Sequence, residues 1–377
     1  MSRIWLSSPH IGEKERVYVE DAFKTNWVAP LGPNVTAFEK QLTAYLNVKS
    51  CLSLSSGSAA IHLALQLLGV KSDDVVLCQS FTFAASAFPV LYCGARPVFV
   101  DSERTTWNID PQLLREAIID QQRKNKKVSA IIVVHLYGIP AKMNEVLSIA
   151  KEFNIPIIED AAEALGSTYH QKPCGSMGDV GILSFNGNKI ITTSGGGALV
   201  SNNEALIERA RKISAQAREP VAYYLHNEVG FNYRLSNICA GIGRGQMEVL
   251  NERIARRREI FEFYKKEFQD IDGVTFSEEP ANTFCNRWLT TILIDERLGK
   301  NKNEEIRLHL ESKDIESRQL WKPLHDQPVF KDCDAYENGV SADLFQRGLC
   351  LPSGSNLTEE DLKTVVYEFK KIFGRPI

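Results

Sequence analysis

Residues 180–197 read VGILSFNGNKIITTSGGG, an apolar run followed by one lysine, Lys189, and three glycines. Upstream, residues 155–160 read IPIIED, a second apolar run that ends in the acidic pair Glu159 and Asp160. Short apolar runs that end in polar residues are typical of the buried strands of an α/β sheet. Because such sheets build their sites beyond the carboxyl ends of the strands, we expect Lys189 and the acidic pair to lie close together.

A lysine and a carboxylate at neighbouring strand ends suit the chemistry of pyridoxal 5'-phosphate (PLP). The lysine amine attaches the cofactor's aldehyde, and the carboxylate keeps the pyridine nitrogen protonated so that the ring accepts electrons. Taken singly, such a lysine is most often a solvated residue and such an aspartate a turn or helix cap. Ser184 and the glycines that flank Lys189 favour a site, because a phosphate or a ring requires close approach.

Residues 52–60, LSLSSGSAA, predict a strand, a small polar turn and the start of a helix. Such a turn aims backbone N–H groups and hydroxyls at an anion. The alternative is that Ser58 is an ordinary helix N-cap.

Three segments together resemble the signature of the PLP-dependent nucleotide-sugar aminotransferases of the DegT/DnrJ type. They are residues 159–166 (EDAAEALG), 184–189 (SFNGNK) and 232–237 (NYRLSN), in the family's order and at its spacing. The likeness runs from about Leu6 to the C-terminal helix. Residues 184–197 resemble the branch that aminates UDP-linked 4-keto-6-deoxy-N-acetylglucosamine on the way to N-acetylbacillosamine. Family members that act as sugar dehydratases carry histidine in place of the lysine, so Lys189 favours transamination.

The resemblance implies an α/β fold, that of fold-type-I PLP aminotransferases, and the pattern of apolar runs agrees with it. Helical stretches at 58–69, 110–122 and 141–153 lie between short β-rich runs, which indicates a mostly parallel seven-stranded sheet covered by helices. The predicted strands are 51–55, 75–80, 97–101, 130–135, 155–159, 181–185 and 197–201.

We predict a large PLP-binding domain over residues 1–245 and a smaller C-terminal α/β domain over residues 246–377. The second region begins within one long helix, predicted from about Ser236 to Phe268. It continues through a strand at 288–295 and helices near 302–313 and 358–373.

The resemblance also implies the roles of individual residues. Lys189 is the catalytic residue, which holds PLP and, once released, moves a proton as general base and acid. Asp160 pairs with the pyridine nitrogen, Glu163 meets the ring's 3-oxygen and Phe83 stacks on the ring. Without the resemblance, Glu163 reads as a surface residue of a helix and Phe83 as core.

For the phosphate, the resemblance implies backbone N–H groups of Gly57, Ser58 and Ala59 and the hydroxyls of Ser58 and Ser184. Asn237 matches a residue that reaches the phosphate of the neighbouring subunit. The resemblance therefore implies a homodimer with shared active sites.

Residues that select the substrate are predicted in two places. Asn26, Trp27, Val28 and Ala29 belong to a segment that resembles the family's N-terminal loop over the sugar. Arg318, Trp321 and His325 suit a diphosphate or a base, since arginine binds phosphate bidentately and tryptophan stacks. The alternative for Trp321 is core of the small domain. Many family members carry an acidic residue where this chain has Gly195, and no role is transferred to that position.

Composition excludes several other classes. A net charge of −3 over 377 residues argues against a nucleic-acid surface, and the N-terminus lacks a signal-peptide core. The eight cysteines are scattered without a C-x-x-C pair, and the seven histidines show no metal-ligand spacing, so we predict free thiols and no metal.

The glycines at 175–181 precede a predicted strand, whereas a dinucleotide-binding turn follows one. We expect no membrane partner and a cytoplasmic location.

The site residues predict a PLP enzyme, and the resemblance implies a nucleotide-sugar transaminase. The resemblance further implies that it transfers an amino group from L-glutamate to the C4 keto group of UDP-2-acetamido-2,6-dideoxy-4-keto-hexose. The alternatives are a GDP- or dTDP-linked keto sugar, of the perosamine or 3-amino type, and a non-catalytic PLP-binding regulatory protein.

Overall fold

The computed structural model describes residues 3–374, which form twelve α-helices and fifteen β-strands. The helices are α1 (Lys14–Lys24), α2 (Pro33–Leu46), α3 (Gly57–Leu67), α4 (Phe88–Tyr92), α5 (Pro111–Arg123), α6 (Met143–Phe153), α7 (Glu204–Ser214), α8 (Asn237–Glu248), α9 (Leu250–Glu267), α10 (Lys302–Glu311), α11 (Val340–Arg347) and α12 (Glu359–Lys371). The strands are β1 (Ser50–Leu54), β2 (Val75–Gln79), β3 (Arg96–Val100), β4 (Val128–Val134), β5 (Ile157–Asp160), β6 (Thr168–Tyr169), β7 (Lys172–Pro173), β8 (Val180–Ser184), β9 (Gly197–Ser201), β10 (Val274–Phe276), β11 (Thr283–Phe284), β12 (Thr290–Ile294), β13 (Arg318–Gln319), β14 (Ala335–Tyr336) and β15 (Gly348–Leu351).

The central sheet has eight strands in the order β1-β9-β8-β5-β4-β2-β3-β14. Strands β8 to β14 of this order run parallel, whereas β9 is antiparallel to both of its neighbours. The predicted mostly parallel α/β sheet is thus confirmed. The predicted number of seven strands was one too few, because the two-residue strand β14 from the C-terminal part of the chain pairs with β3.

Helices cover both faces of this sheet. In β2, Val76 and Cys78 contribute to one apolar cluster while Val75 and Leu77 contribute to another on the opposite face. Successive side chains of a strand point to opposite faces, so a strand buried on both sides reads as a continuous apolar run.

The C-terminal part of the chain forms a second, antiparallel sheet in the order β10-β12-β15-β13. Apolar residues of α9, α10 and α12 pack on it. Ile4 joins the same cluster and forms a bridge to Ile315, so the start of the described chain is also held here.

The helix predicted from Ser236 to Phe268 is two helices, α8 and α9, separated at Val249. The N–H of Val249 donates to the carbonyl of Gln246, three residues back, and the helical repeat is interrupted there. The proposed domain boundary at 245/246 falls within α8, and the division into two domains stays a prediction.

Among residues 3–374, none of the helices combines the length and apolar character that crossing a bilayer requires. The eight cysteines all lie in this part of the chain and are unpaired thiols, as predicted.

Candidate active site

A cavity of about 310 Å³ opens at the carboxyl ends of β4, β5 and β8. These strands are parallel neighbours, so their ends meet at one edge of the sheet. The structure brings together most of the residues predicted for the cofactor. Those that line the cavity are Gly57, Ser58, Phe83, Asp160, Glu163, Ser184 and Lys189.

Strand alternation separates the two members of the acidic pair. Asp160, the last residue of β5, lines the cavity and is only 4% exposed. Its carboxylate accepts hydrogen bonds from the Ser86 hydroxyl at 2.8 Å and the Ala162 N–H at 3.1 Å. Glu159 points away from Asp160, as the period of two requires. Asp160 is therefore the carboxylate available to a ligand.

Glu159 holds the turn that precedes β8. Its carboxylate accepts the N–H groups of Gly175, Met177 and Gly178 as well as His135 Nε2 at 2.8 Å. Burial opposes ionisation, but these donors outweigh it and lower the pKa of the Glu159 carboxyl.

The same carboxylate lies in a group of three potential metal ligands, with His135 and Cys174. His135 Nδ1 accepts the Ala141 N–H, so Nε2 carries the proton that it donates to Glu159. Burial raises the pKa of the Cys174 thiol, which keeps it protonated. The hydrogen bonds of His135 and Glu159 therefore give these two side chains a structural role.

Lys189 lies in the loop between β8 and β9. The loop is closed at its base by hydrogen bonds from the Phe185 N–H to the Gly196 carbonyl and from the Thr193 N–H to the Phe185 carbonyl. Lys189 Nζ is 4.0 Å from the centroid of the Trp288 ring and 3.7 Å from Glu163 Oε1. Its amine is therefore held inside the cavity between an aromatic face and a carboxyl group.

Glu163 is 4% exposed, which excludes the surface reading. Burial raises the pKa of its carboxyl, and this effect is offset in part by Lys189 and by the N–H of Tyr137, which donates to Oε2 at 2.6 Å. The Glu163 carboxyl therefore lies at the wall of the cavity, beside the amine of Lys189.

Helix α3 points its N-terminus at the cavity. Its N-cap is Ser56, whose hydroxyl accepts the Ala59 N–H at 3.0 Å. The N–H groups of Gly57 and Ser58 are in the first turn and have no intrahelical partner, so they suit an anion. The alternative reading of Ser58 as the helix N-cap is excluded, because Ser56 is the cap. The Ala59 N–H, which was predicted to bind the phosphate, donates to the Ser56 hydroxyl in this structure.

Glycine 197 allows this turn to approach the sheet. It pairs with Ser184 on β8 and with Leu54 on β1. A Cβ atom at this position would lie 2.4 Å from the backbone nitrogen of Gly57. The glycine run predicted to permit close approach therefore brings the start of α3 against Ser184.

Aromatic side chains form the remaining walls. Phe83 is 52% exposed and packs against Trp321 with ring centroids 5.3 Å apart, so it is not a core residue. Trp321 and Trp288 also line the cavity. Trp288 was not predicted, because nothing in its local sequence links a residue before β12 to the central sheet.

A second cavity of about 300 Å³ lies beside the first. The two share Phe83, Asn188, Trp288 and Trp321. The predicted substrate residue Arg318 lines this second cavity, where its guanidinium pairs with Glu316 at 2.8 Å. Trp321 therefore borders both the lysine and the space next to it.

His325 lines neither of these cavities. Its Nδ1 lies 2.6 Å from the Ser80 hydroxyl and its Nε2 lies 3.4 Å from Glu337. Both ring nitrogens are engaged within the chain, and this arrangement ties the segment after β13 to the end of β2.

Asn237, the first residue of α8, also lies outside the cavity and is 1% exposed. Its Oδ1 accepts the N–H groups of Asn34 at 2.9 Å and Val35 at 3.3 Å, and its Nδ2 donates to the Trp27 carbonyl at 2.9 Å. It therefore caps the N-terminus of α2, whose own N-cap residue, Gly32, has no side chain.

Asn26, Trp27, Val28 and Ala29 form the connection from α1 to α2. Asn26 has φ of 58°, the left-handed conformation that ends a helix, which accounts for an asparagine at this position. Trp27 and Val28 are exposed, and the Ala29 carbonyl accepts the Asn237 N–H. Within one chain, these four residues do not line the lysine cavity.

The residues present fit PLP. An amine, a buried carboxylate and a helix N-terminus with small and hydroxyl residues line one cavity, and the exposed face of Phe83 lies beside them. This donor set matches an aldehyde, a protonated pyridine and a phosphate in one ligand. The fold and the site define a PLP-dependent enzyme of fold type I.

Comparison with known proteins identifies the family. The profile of the DegT/DnrJ/EryC1/StrS aminotransferase family matches residues 9–370. The chain is 51% identical to a candidate pyridoxal phosphate-dependent aminotransferase, EpsN, of Bacillus subtilis (strain 168), over 98% of this chain and 96% of the relative. A crystal structure of a DegT DnrJ EryC1 StrS aminotransferase from Brucella abortus superposes with a TM-score of 0.89 at 28% identity, over 96% of both chains.

The names of two further relatives specify a nucleotide-linked amino sugar. GDP-perosamine synthase of Escherichia coli O157:H7 is 35% identical over 96% of both chains. UDP-4-amino-4,6-dideoxy-N-acetyl-beta-L-altrosamine transaminase of Campylobacter jejuni (strain 81-176) is 38% identical over 89% of this chain and 88% of the relative.

The chain belongs to the DegT/DnrJ/EryC1/StrS aminotransferase family. It is a PLP-dependent sugar aminotransferase, which confirms the predicted family, enzyme class and cofactor.

Proposed function

We propose that the protein transfers the amino group of L-glutamate to the C4 keto group of UDP-2-acetamido-2,6-dideoxy-4-keto-hexose, in the cytoplasm. The resemblance of residues 184–197 to the bacillosamine branch supports the sugar. The Campylobacter jejuni relative, whose name specifies a UDP-linked 4-amino-4,6-dideoxy sugar, supports the nucleotide and the position of the amine. The observation that carries the transamination itself is Lys189 in one cavity with Asp160 and the start of α3.

In this proposal the residues of the chain stabilise charge on the cofactor and transfer protons. When bound, PLP supplies a carbonyl group that takes up the donor's amine and a ring that accepts the electrons of the broken C–H bond. Asp160, which lines the cavity, would pair with the ring nitrogen of PLP and hold its proton. Lys189 Nζ, once free, takes the proton from the donor carbon and returns one to the sugar carbon. Glu163 Oε1, 3.7 Å from Lys189 Nζ, helps to place the amine in the cavity.

Aromatic side chains form one wall of the site. Trp288 and Trp321, which adjoin strands of the second, antiparallel sheet (the small sheet), line the cavity, and Phe83 offers a face for stacking. Removing water strengthens the interaction between Asp160 and a cationic ring, because charge interactions grow as the local dielectric falls.

The test is mass spectrometry of the products formed from the purified protein, PLP, L-glutamate and UDP-4-keto-6-deoxy-N-acetylglucosamine. Formation of the UDP-4-amino sugar with an equal amount of 2-oxoglutarate is the expected result. Glutamate-dependent loss of the cofactor's visible absorbance without a sugar product would contradict the proposed sugar while keeping the amino donor.

A GDP-linked 4-keto sugar is the second candidate. The 35% identity to GDP-perosamine synthase over nearly the whole chain favours it. Offering the UDP- and GDP-linked ketones together at equal concentration separates the two candidates, and we expect the UDP-linked product to predominate. Predominance of the GDP-linked amine would replace the first proposal by the second.

The proposed active unit is a homodimer with shared sites. Val17 and Phe23 of α1 and Trp27, Val28 and Leu31 of the following segment are exposed apolar residues on adjoining parts of the chain. A second copy of the chain that buries this surface would be consistent with the predicted role of residues 26–29 over the sugar of a neighbouring subunit.

Asn237→Ala is expected to loosen residues 27–35 and to weaken PLP retention. It removes the cap of α2 and leaves the N–H groups of Asn34 and Val35 unpaired, at a cost of about 2 kcal/mol in the free energy of unfolding. Hydrogen exchange measures the loosening, and dialysis followed by absorbance measures PLP retention. Asn227→Ala, on the surface, is the control. PLP retention equal to that of the control would contradict the shared site.

A further inference from the structure

Arg257, on α9, is buried without a carboxylate partner. It is 1% exposed, and within residues 3–374 no charged group compensates its burial, which lowers the pKa of its guanidinium to about 9. Its donors are used instead on two neutral acceptors. One NH group donates to the Trp288 carbonyl and the other to the Ser7 hydroxyl at 2.9 Å. A buried cation in this position is costly, so its retention requires a reason.

The two residues that accept hydrogen bonds from Arg257 both donate to one atom, the carbonyl oxygen of Asn188. The Ser7 hydroxyl donates to the carbonyl of Asn188 at 2.7 Å, and the Trp288 indole N–H donates to that carbonyl at 2.8 Å. Asn188 immediately precedes Lys189. Three distant parts of the chain, the N-terminal segment, α9 and the residues before β12, thus meet on the backbone of the lysine loop.

The connection sets the direction of the lysine side chain. Two donors on one carbonyl fix the Asn188–Lys189 peptide plane, and the Trp288 ring that supplies one of them lies 4.0 Å from Lys189 Nζ. A guanidinium that donates to Ser7 polarises its hydroxyl and strengthens the bond that the hydroxyl makes to Asn188. An apolar residue of equal size would fill the same space. It would not donate to Ser7, so the hydrogen-bond relay from Arg257 through Ser7 to the Asn188 carbonyl would lose its first donor.

We propose that Arg257 is a positioning residue for Lys189, acting through Ser7 and Trp288 on the Asn188 carbonyl. The inference rests on the proposed function only for the role of Lys189 toward PLP, and it is independent of which sugar is aminated. A displacement of the amine by a fraction of an ångström is sufficient to slow a reaction at that nitrogen.

The test compares Arg257→Met with Arg287→Met. Arg287 is the matched control, since it is also buried and near the small sheet, but its guanidinium donates to Ser277 and stacks on Phe261. The readouts are the rate at which Lys189 captures PLP, followed by borohydride trapping and peptide mass spectrometry, and the unfolding midpoint without PLP. Neither needs a sugar substrate.

We expect Arg257→Met to slow PLP capture by at least about tenfold, while its unfolding midpoint falls no further than that of Arg287→Met. Arg287→Met should capture PLP at nearly the wild-type rate. Equal capture rates in the two variants would overturn the proposal and leave Arg257 a purely structural residue.

Ser7→Ala provides the second variant if Arg257→Met does not fold. It removes only the relay hydroxyl, and slower capture of PLP is again expected, whereas a wild-type rate would overturn the proposal. Failure of the wild-type protein to aminate the UDP-linked sugar would affect the proposed function alone, because capture is measured with PLP only.

Discussion

Lys189→Ala is expected to lower transamination by at least about 10⁴-fold, because one residue supplies both the attachment of PLP and the proton transfer. The variant should still fold, since the lysine side chain faces the cavity and the apolar clusters of the sheet do not include it. We expect a change of no more than about 3 kcal/mol in the free energy of unfolding. Product formation by mass spectrometry and unfolding by circular dichroism measure the two effects.

Lys142→Ala is the control for this variant. Lys142 forms an ion pair with Glu103, with Nζ and Oε2 2.8 Å apart, and neither residue lines the cavity. The substitution therefore also removes a lysine from beside a carboxylate. Full activity in the control and none in Lys189→Ala is the expected pattern. Turnover within tenfold of wild type in Lys189→Ala would remove Lys189 from the mechanism (about 1.4 kcal/mol of barrier).

Asp160→Asn is expected to lower the rate of transamination by about 10²- to 10³-fold, because it removes a charge directed at the ring of PLP and keeps the shape of the side chain. The amide oxygen can still accept the Ala162 N–H, and its NH₂ group can donate to the Ser86 hydroxyl. Stability should therefore change less than activity. Single-turnover absorbance with L-glutamate measures the chemical step, and thermal unfolding measures the fold.

Asp179→Asn tests whether the loss of any carboxylate charge that contacts β5 matters. Asp179 accepts the Ile157 N–H at 2.8 Å, at the other end of β5 from Asp160. We expect near wild-type rates in this control. Equal loss of rate in both variants would show that Asp160→Asn acts by disturbing β5 and not by removing a charge beside the ring of PLP.

Much of the central sheet was predictable because its strands are buried on both faces. Each of the seven runs that the sequence marks as strand is a strand, with ends within a few residues of the prediction. The lysine and Asp160 follow from the same pattern, since polar residues directly after such runs mark the carboxyl edge of a parallel sheet.

What could not be predicted depends on contacts between distant parts of the chain. β14 is two residues long and exists because it pairs with β3. The role of Asn237 as the cap of α2 depends on a contact with Asn34, which is 203 residues away in sequence. Trp288 likewise meets the lysine only through the packing of the small sheet. Local periodicity carries no information on such pairings.

The tie between the N-terminal segment and the lysine loop has a consequence for the order of events during synthesis. Ile4 pairs with Ile315, and the bond from Ser7 to Asn188 is supported by Arg257. At a ribosomal rate of about 5–20 residues per second, Arg257 follows Ser7 by roughly 10–50 s. Throughout that interval Ser7 lacks the guanidinium that supports its bond to Asn188, so the lysine loop acquires its final geometry only after Arg257 and Trp288 have been synthesised.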